Sequence, residues 1–488
     1  MPNRRGCPPY CRRWRRRRGT DIKRAIALSL AALLCIAGTW VRMPRASAAS
    51  LDAADAARVD EAALEWLKST GAPSVSLAIV QRGALAYAKA YGVAREVPGV
   101  PATAASRYAI DSVSKQFTAA AILLLAQQDK LSLDDPLARW FARLGEASRV
   151  TLRQLLTHTS GIRDYWPQDF VTPPMVHPTT PQAIIEQWAA RPLDFMPGTD
   201  WQYSNTGYVL AGEVVERVSG EPLFEFLQRR IFTPLAMMHV ADYASPSAGS
   251  APEDAAGYTR FGLGPVIQAP KEGAGWLFGA ANLAMRPDEL ALWDISLIDR
   301  SLLNANSYAA QRSPVVLADG TRRPYGLGLH IEDTHGRFSI GHSGSGSGFL
   351  ADNRVWPNER TAIVVLTNND WASPTDLLAR IAFLVLPPTP EEARARALFA
   401  GFQNGTVDRS LFTATGNFYL SDEVLADLHA SLGGLGRLRL IELTQEYRRG
   451  GMVTRSWKIL CDGAHLTAIE RGYSGGRLDE FMITKATD

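Results

Sequence analysis

The feature that most narrows what this chain can fold into is a polar tetrapeptide, Ser112-Val113-Ser114-Lys115, that runs directly into Gln116-Phe117-Thr118-Ala119-Ala120-Ala121-Ile122-Leu123-Leu124-Leu125. Alanine and leucine favour helix, and the run is apolar enough to require burial, so the spacing predicts a buried helix opened by Ser112. Residues three apart on a helix share a face, which brings the Lys115 amine within reach of the Ser112 hydroxyl. A serine at a helix start also lies where free N–H groups and the positive end of the dipole favour developing negative charge. Taken alone, the tetrapeptide reads equally as an N-cap serine followed by a solvated lysine.

Two later motifs add to it. In Tyr203-Ser204-Asn205 the outer side chains point to a common side of an extended or turn segment. This segment follows the turn Phe195-Met196-Pro197-Gly198-Thr199 and precedes a helical apolar stripe over 207–216, so it lies on a loop leading into a helix. His342-Ser343-Gly344 lies in a stretch, 338–349, that reads as a short strand passing through glycines into another strand, and the glycines let backbone approach a ligand closely. A serine hydroxyl attacks acyl groups only with a base, a proton donor and an oxyanion hole nearby. Each motif can supply one of these parts.

Ser-x-x-Lys, Tyr-x-Asn and His-x-Gly in this order resemble the signature of the serine β-lactamase and penicillin-binding-protein superfamily. The branch resembled holds class C β-lactamases, D-alanyl-D-alanine carboxypeptidases, D-aminopeptidases and family VIII esterases. The resemblance spans roughly residues 60–385 and extends to Val75-Ser76-Leu77-Ala78-Ile79-Val80-Gln81-Arg82-Gly83 as a first hairpin, to Leu155-Leu156-Thr157-His158-Thr159-Ser160-Gly161-Ile162 and to Tyr325-Gly326-Leu327-Gly328. It implies an α+β, β-lactamase/transpeptidase-like domain: an antiparallel sheet carrying the domain's termini, flanking helices, an inserted all-helical region, and a site at their junction. It further implies Ser112 as the acylated nucleophile, Lys115 as its base and Tyr203 as proton shuttle. Asn205 would contact the substrate amide, and His342, Gly344 and Ser345 would line substrate. The N–H groups of Ser112 and Ser345 would form the oxyanion hole.

His342 stands where most β-lactamases carry lysine. A neutral imidazole lacks the permanent cation that holds a substrate carboxylate, so small esters or D-amino-acid peptides rank above β-lactams as substrates. The alternative from another class is a non-turnover penicillin sensor or scaffold that keeps the pocket without efficient deacylation. His158 reads as a scaffold residue near the site. Gly472-Tyr473-Ser474-Gly475-Gly476 satisfies the Gly-x-Ser-x-Gly pattern, but strand-like sequences flank it on both sides, so Ser474 is read as a hairpin turn residue. The loops 166–178 and 244–275 are expected to shape the pocket.

Twelve of the 52 basic residues, against one of the 49 acidic ones, fall in residues 1–48, so the remainder carries 40 basic and 48 acidic residues and a formal charge of −8 in place of +3. Nucleic-acid binding thereby loses its main support. Residues 1–48 combine an arginine-rich start, an apolar stretch and a cleavage candidate, Ala46-Ser47-Ala48. They read as a secretory signal or, failing cleavage, an N-terminal anchor, and imply an exported protein whose only membrane contact is that anchor. Three of the four cysteines lie there, which leaves Cys461 and no intramolecular disulfide. No His-Glu-x-x-His motif or phosphate loop occurs, so neither metal nor cofactor is implied beside a small ester, peptide or β-lactam-like substrate.

Organisation follows from these marks. Residues 55–386 form the hydrolase-like domain, and Leu386-Pro387-Pro388-Thr389-Pro390 is a stiff joint. Residues 391–488 read as helices over 391–402 and 421–432, then strands over 437–446, 453–460, 464–469 and 478–485, a small α+β domain of unknown role.

Overall fold

The computed structural model describes residues 50–488 apart from 169, 246, 248, 335, 336, 474, 475, 487 and 488. The leader with its cleavage candidate, Cys7, Cys11 and Cys35, and also Ser474, lie outside the described residues.

Helix α1 (Ala53–Thr70) starts at Asp52, whose carboxylate accepts from Ala54 N–H, and stops at Gly71 in the left-handed region. It leads into β1 (Ser74–Gln81), β2 (Ala84–Arg95) and the short β3 (Val100–Pro101). The chain then leaves the sheet for a helical region that includes α2 (Lys115–Ala126), α3 (Asn205–Ser219) and α4 (Pro287–Asp299). It returns as β4 (His330–Thr334), β5 (Arg337–Gly346), β6 (Phe349–Trp356) and β7 (Thr361–Thr367), and α5 (Pro374–Val385) follows.

These strands form one antiparallel sheet in the order β4-β5-β6-β7-β1-β2-β3, in which the early β1 pairs with the late β7. Alternation along β1 divides its side chains between two cores. Val75, Leu77 and Ile79 join Ile363 and Val365 beneath α1 and α5, while Ala78 and Val80 join Val364 and Leu366 against the helical region. Both faces are covered, which explains why β1 and β7 read as nearly unbroken apolar runs. The second core is tied by Trp293 of α4, which packs on Phe117 of α2 at 4.6 Å between centroids and donates to Gln116 Oε1 at 2.8 Å.

One local expectation is corrected. Ser112 does not open an α-helix; it lies in a 3₁₀ turn, Asp111–Ser114, and α2 starts at Lys115. Ser114 accepts from Leu283 N–H at 3.1 Å, so its hydroxyl ties the turn to a neighbouring strand instead of capping. A 3₁₀ turn eclipses residues i and i+3, so the Ser112 and Lys115 alignment survives. The Gly/Ser stretch agrees with its reading as a strand that passes through glycines into another strand: β5 continues through it to Gly346 before a turn at 347–348, and β6 follows. Its glycines answer to the nucleophile turn: a Cβ on Gly344 would lie 2.2 Å from Ile110 O, and one on Gly346 2.2 Å from Asp111 Oδ1.

Beyond Val385 the chain forms α6 (Pro390–Gln403), α7 (Asp422–Leu432) and a four-stranded antiparallel sheet, β8 (Leu438–Arg449), β9 (Met452–Cys461), β10 (His465–Gly472) and β11 (Leu478–Lys485). A further helix, Ala414–Tyr419, is too short to have shown a period. This segment has its own core around Phe399, Trp457, Ile459 and Phe481. Cys461 is a buried free thiol. The segment meets α1 through Arg437 and Arg439, which pair with Glu61 at 2.6 and 3.1 Å, and through Arg439 with Glu65 at 3.2 Å. No helix among the described residues is long and apolar enough to cross a membrane.

Candidate active site

A cavity of about 450 Å³ lies where β5 meets the helical region, and Ser112, Tyr203, Asn205, His342 and Ser345 all line it. Lys115 is fully buried beneath Ser112. Its Nζ lies 2.9 Å from Ser112 Oγ, 2.7 Å from Asn205 Oδ1 and 2.9 Å from Ala280 O. Two of these partners are carbonyl oxygens that can only accept. A neutral amine would give its two N–H bonds to them, which leaves its lone pair facing the Ser112 O–H.

Burial lowers the Lys115 pKa to about 7, against the pull of Asp164 and Asp111, which favour its charged form. Near neutral pH a substantial fraction of Lys115 is therefore the free base. Tyr203 is pushed the other way. Burial raises its pKa, Asp164 adds to the rise, and the neighbouring Ser112 hydroxyl partly opposes it. Tyr203 is thus a phenol that can give a proton, not a resting tyrosinate. Its ring centroid lies 4.9 Å from Lys115 Nζ, and its hydroxyl has no hydrogen-bond partner among the described residues.

The Tyr203-Ser204-Asn205 motif is gripped from both sides by the segment that begins at His158. His158 Nδ1 accepts from Ser204 N–H at 3.1 Å, and the ring stacks on Tyr203 at 4.2 Å between centroids. At the other end Asp164 accepts from Asn205 N–H at 3.0 Å and from Asn205 Nδ2 at 3.1 Å. His158 is buried and neutral, its pKa lowered by burial and then by Lys115, so the scaffold reading of this residue agrees with its placement. Asp164 was not singled out from sequence, because 41 residues separate it from Asn205 and no local pattern links the two. The hydrogen bonds also qualify Asn205. With its carbonyl on Lys115 and its amide on Asp164, it aims the lysine before it touches any substrate.

His342 is buried at the cavity wall. Nδ1 lies 2.5 Å from Ser343 O, a carbonyl that can only accept, so the proton sits on Nδ1 and Nε2 accepts from Tyr325 O–H at 2.8 Å. Burial, followed by the repulsion that a second cation would meet from His330 and Lys115, holds the imidazole's pKa well below its ordinary value, so it is neutral. Asn353 anchors it from behind: its Oδ1 accepts from His342 N–H at 3.2 Å and from Gln116 Nε2 at 2.7 Å, and its Nδ2 donates to Asp294 at 2.6 Å. This buried chain joins the helix of Lys115 to the strand of His342. No local sequence pattern links Asn353 with Asp294, because 59 residues separate them.

Gly344 does not line the cavity; it is the point where β5 rests on Ile110 O, and its role is close packing. Of the two loops expected to shape the pocket, 166–178 supplies Trp166, Pro167 and Gln168 to the wall. Loop 244–275 supplies none among the described residues. Its Glu272 accepts from Ser347 N–H at 3.2 Å behind the wall. Asp111, immediately before the nucleophile, is buried with φ of 46°, a strained conformation of the kind that functional sites retain. Among the described residues no three metal-ligating side chains cluster.

Residues 53–385 match the Beta-lactamase family. The chain belongs to that family. A D-aminopeptidase from Brucella ovis is 30% identical over 331 residues, which cover 67% of this chain and 62% of that protein. The chain therefore spans less than two thirds of the length of the curated relatives it matches. The octameric penicillin-binding protein homologue from Pyrococcus abyssi aligns with a TM-score of 0.60 at 22% identity over 88% of this chain and all of that one. A D-stereospecific amidohydrolase from Streptomyces sp. aligns with a TM-score of 0.56 at 25% identity, covering 66% of this chain and 96% of that one. The family's α+β fold, with its antiparallel sheet and helices, is the one described above, and a sheet-rich C-terminal segment follows it.

Proposed function

We propose that the protein is a serine hydrolase that opens small amides, foremost D-amino-acid amides or short D-peptides, through an acyl-enzyme on Ser112. The observation that carries this reading is the aim of Lys115: two fixed acceptors take its N–H bonds and leave its lone pair on Ser112. Ser112 Oγ attacks the carbonyl carbon while its proton passes to Lys115. The N–H groups of Ser112 and Ser345 face the oxygen that gains charge. Tyr203, held as a phenol, gives its proton to the leaving nitrogen as the C–N bond breaks, and recovers one from Lys115. Water then repeats the steps in reverse and frees Ser112.

Amides rank first because relatives and structural neighbours are named for D-aminopeptidase and D-stereospecific amidohydrolase activity. Substrates with a carboxylate beside the scissile bond rank lower. Among the described residues neither lysine nor arginine lines the cavity, and its two histidines, His330 and His342, are neutral.

The test is hydrolysis of D-alanine p-nitroanilide, its L-enantiomer and p-nitrophenyl butyrate by the protein and by a folded Ser112→Ala variant. Turnover of the D-anilide that the variant loses supports the reading. Rates equal in the two proteins overturn it, and a stable adduct on Ser112 without turnover points to a sensor.

A further inference from the structure

A second cavity, of about 140 Å³, adjoins the catalytic one and shares His330, His342 and Ser343 with it. Strand register explains its lining. Glu332 pairs with Ser339, Gly341 with Arg354 and Ser343 with Asp352, so these side chains share the sheet face turned toward α5. Thr375 of α5 closes the far side.

The charges in this cavity do not balance within the protein. Glu332 is neutralised by Arg354 at 2.7 Å. Asp352, only 2% exposed, is not. Its Oδ2 accepts from Thr375 Oγ1 at 2.9 Å, and no cation among the described residues lies within ion-pair distance of it. Burial raises its proton affinity, and Arg354 and Thr375 partly reverse the rise. A carboxylate taken out of water without a partner is costly and is relieved by a bound cation with N–H donors. His330, at the junction of the two cavities, adds no positive charge: burial, then Arg354 and Lys115, lower its pKa to about 4. Its ring nitrogens have no hydrogen bond among the described residues. The volume equals about five water molecules, room for an aminoalkyl end.

We propose that this cavity is a subsite for a primary ammonium at the far end of the substrate, with Asp352 as its counter-ion, so that the preferred substrates carry a lysine- or ornithine-like chain. This rests on the hydrolase reading above for what happens at Ser112. An α-ammonium cannot be the group meant, because it lies one carbon from the carbonyl under attack and stays beside Ser112.

The test measures binding apart from turnover. The Ser112→Ala protein is titrated calorimetrically with D-lysine amide and with D-norleucine amide, which has a similar chain and no ammonium, and the titrations are repeated with Asp352→Asn added. One charge-assisted pair predicts that the lysine amide binds at least about tenfold tighter. Asp352→Asn keeps an acceptor for Thr375 and should cut that advantage to about twofold or less. Equal binding of the two amides, binding of neither, or an advantage that survives Asp352→Asn overturns the proposal. If Asp352→Asn fails to fold, Glu332→Gln serves instead, because it leaves Arg354 positive beside the cavity and should abolish the preference. Hydrolysis of D-norleucine amide by the unsubstituted protein reads the reaction separately. Its absence beside an intact binding preference sinks the hydrolase reading and spares the subsite.

Discussion

Two charged regions of this molecule are built from similar side chains and do opposite things. At the catalytic cavity, Lys115 and Asp164 are joined through Asn205, largely buried, and shifted in proton affinity by that burial. At the seam between α1 and the C-terminal segment, Arg437 and Arg439 face Glu61, Glu65 and Asp462 in a network that water reaches. There pairing lowers the pKa of Glu61 and Asp462 through hydrogen bonds from the arginines. Burial, not the number of charges, separates a reactive site from an adhesive one.

The sharpest way to break this contrast is to remove the buried lysine. Lys115→Met should lower kcat/KM by about 10³-fold or more, and Ser112→Ala by at least as much. Lys115→Met should leave the melting temperature unchanged or raised, because an amine whose charged form burial penalises is replaced by apolar volume of similar size. A large loss of stability would show Lys115 to be structural. Within the C-terminal segment, Trp457 is fully buried, and Trp457→Ala should cost about 3–5 kcal/mol in denaturant unfolding. The rate per folded molecule should stay the same.

Asp164→Asn sharpens the contrast from the other side. It unsettles Asn205 and should cost about 10²-fold in kcat. It also removes a group that raises the Lys115 pKa, so the acid limb of the pH–rate profile should move below about 7. At the exposed seam the expected effect is smallest. Arg439→Gln should cost about 1 kcal/mol or less, measured by thermal unfolding at low and high salt, and leave activity intact.

Much of the site was legible because its chemistry lies in short motifs whose spacing survives local surprises. Ser112 and Lys115 meet although the expected α-helix start is a 3₁₀ turn, since either geometry aligns i with i+3. The four C-terminal strands were legible by alternation, and the strand through His342 by the pattern around its glycines. Groups that act across the fold were hidden. Asp164, Asn353, His330 and Asp352 reach the site only through strand register or distant pairing. Gly344 misled for a related reason: a glycine needed for packing and one needed for a ligand look alike until the neighbouring backbone is known.

The central claim is that Lys115 is a neutral base at physiological pH, aimed at Ser112. It is tested most directly by the rate at which a small uncharged fluorophosphonate labels Ser112 across a range of pH. The account predicts a rate that climbs about tenfold per pH unit below about 7 and is level above it. A rate that keeps climbing to about pH 10, as an ordinary lysine would dictate, or one indifferent to pH, would contradict it.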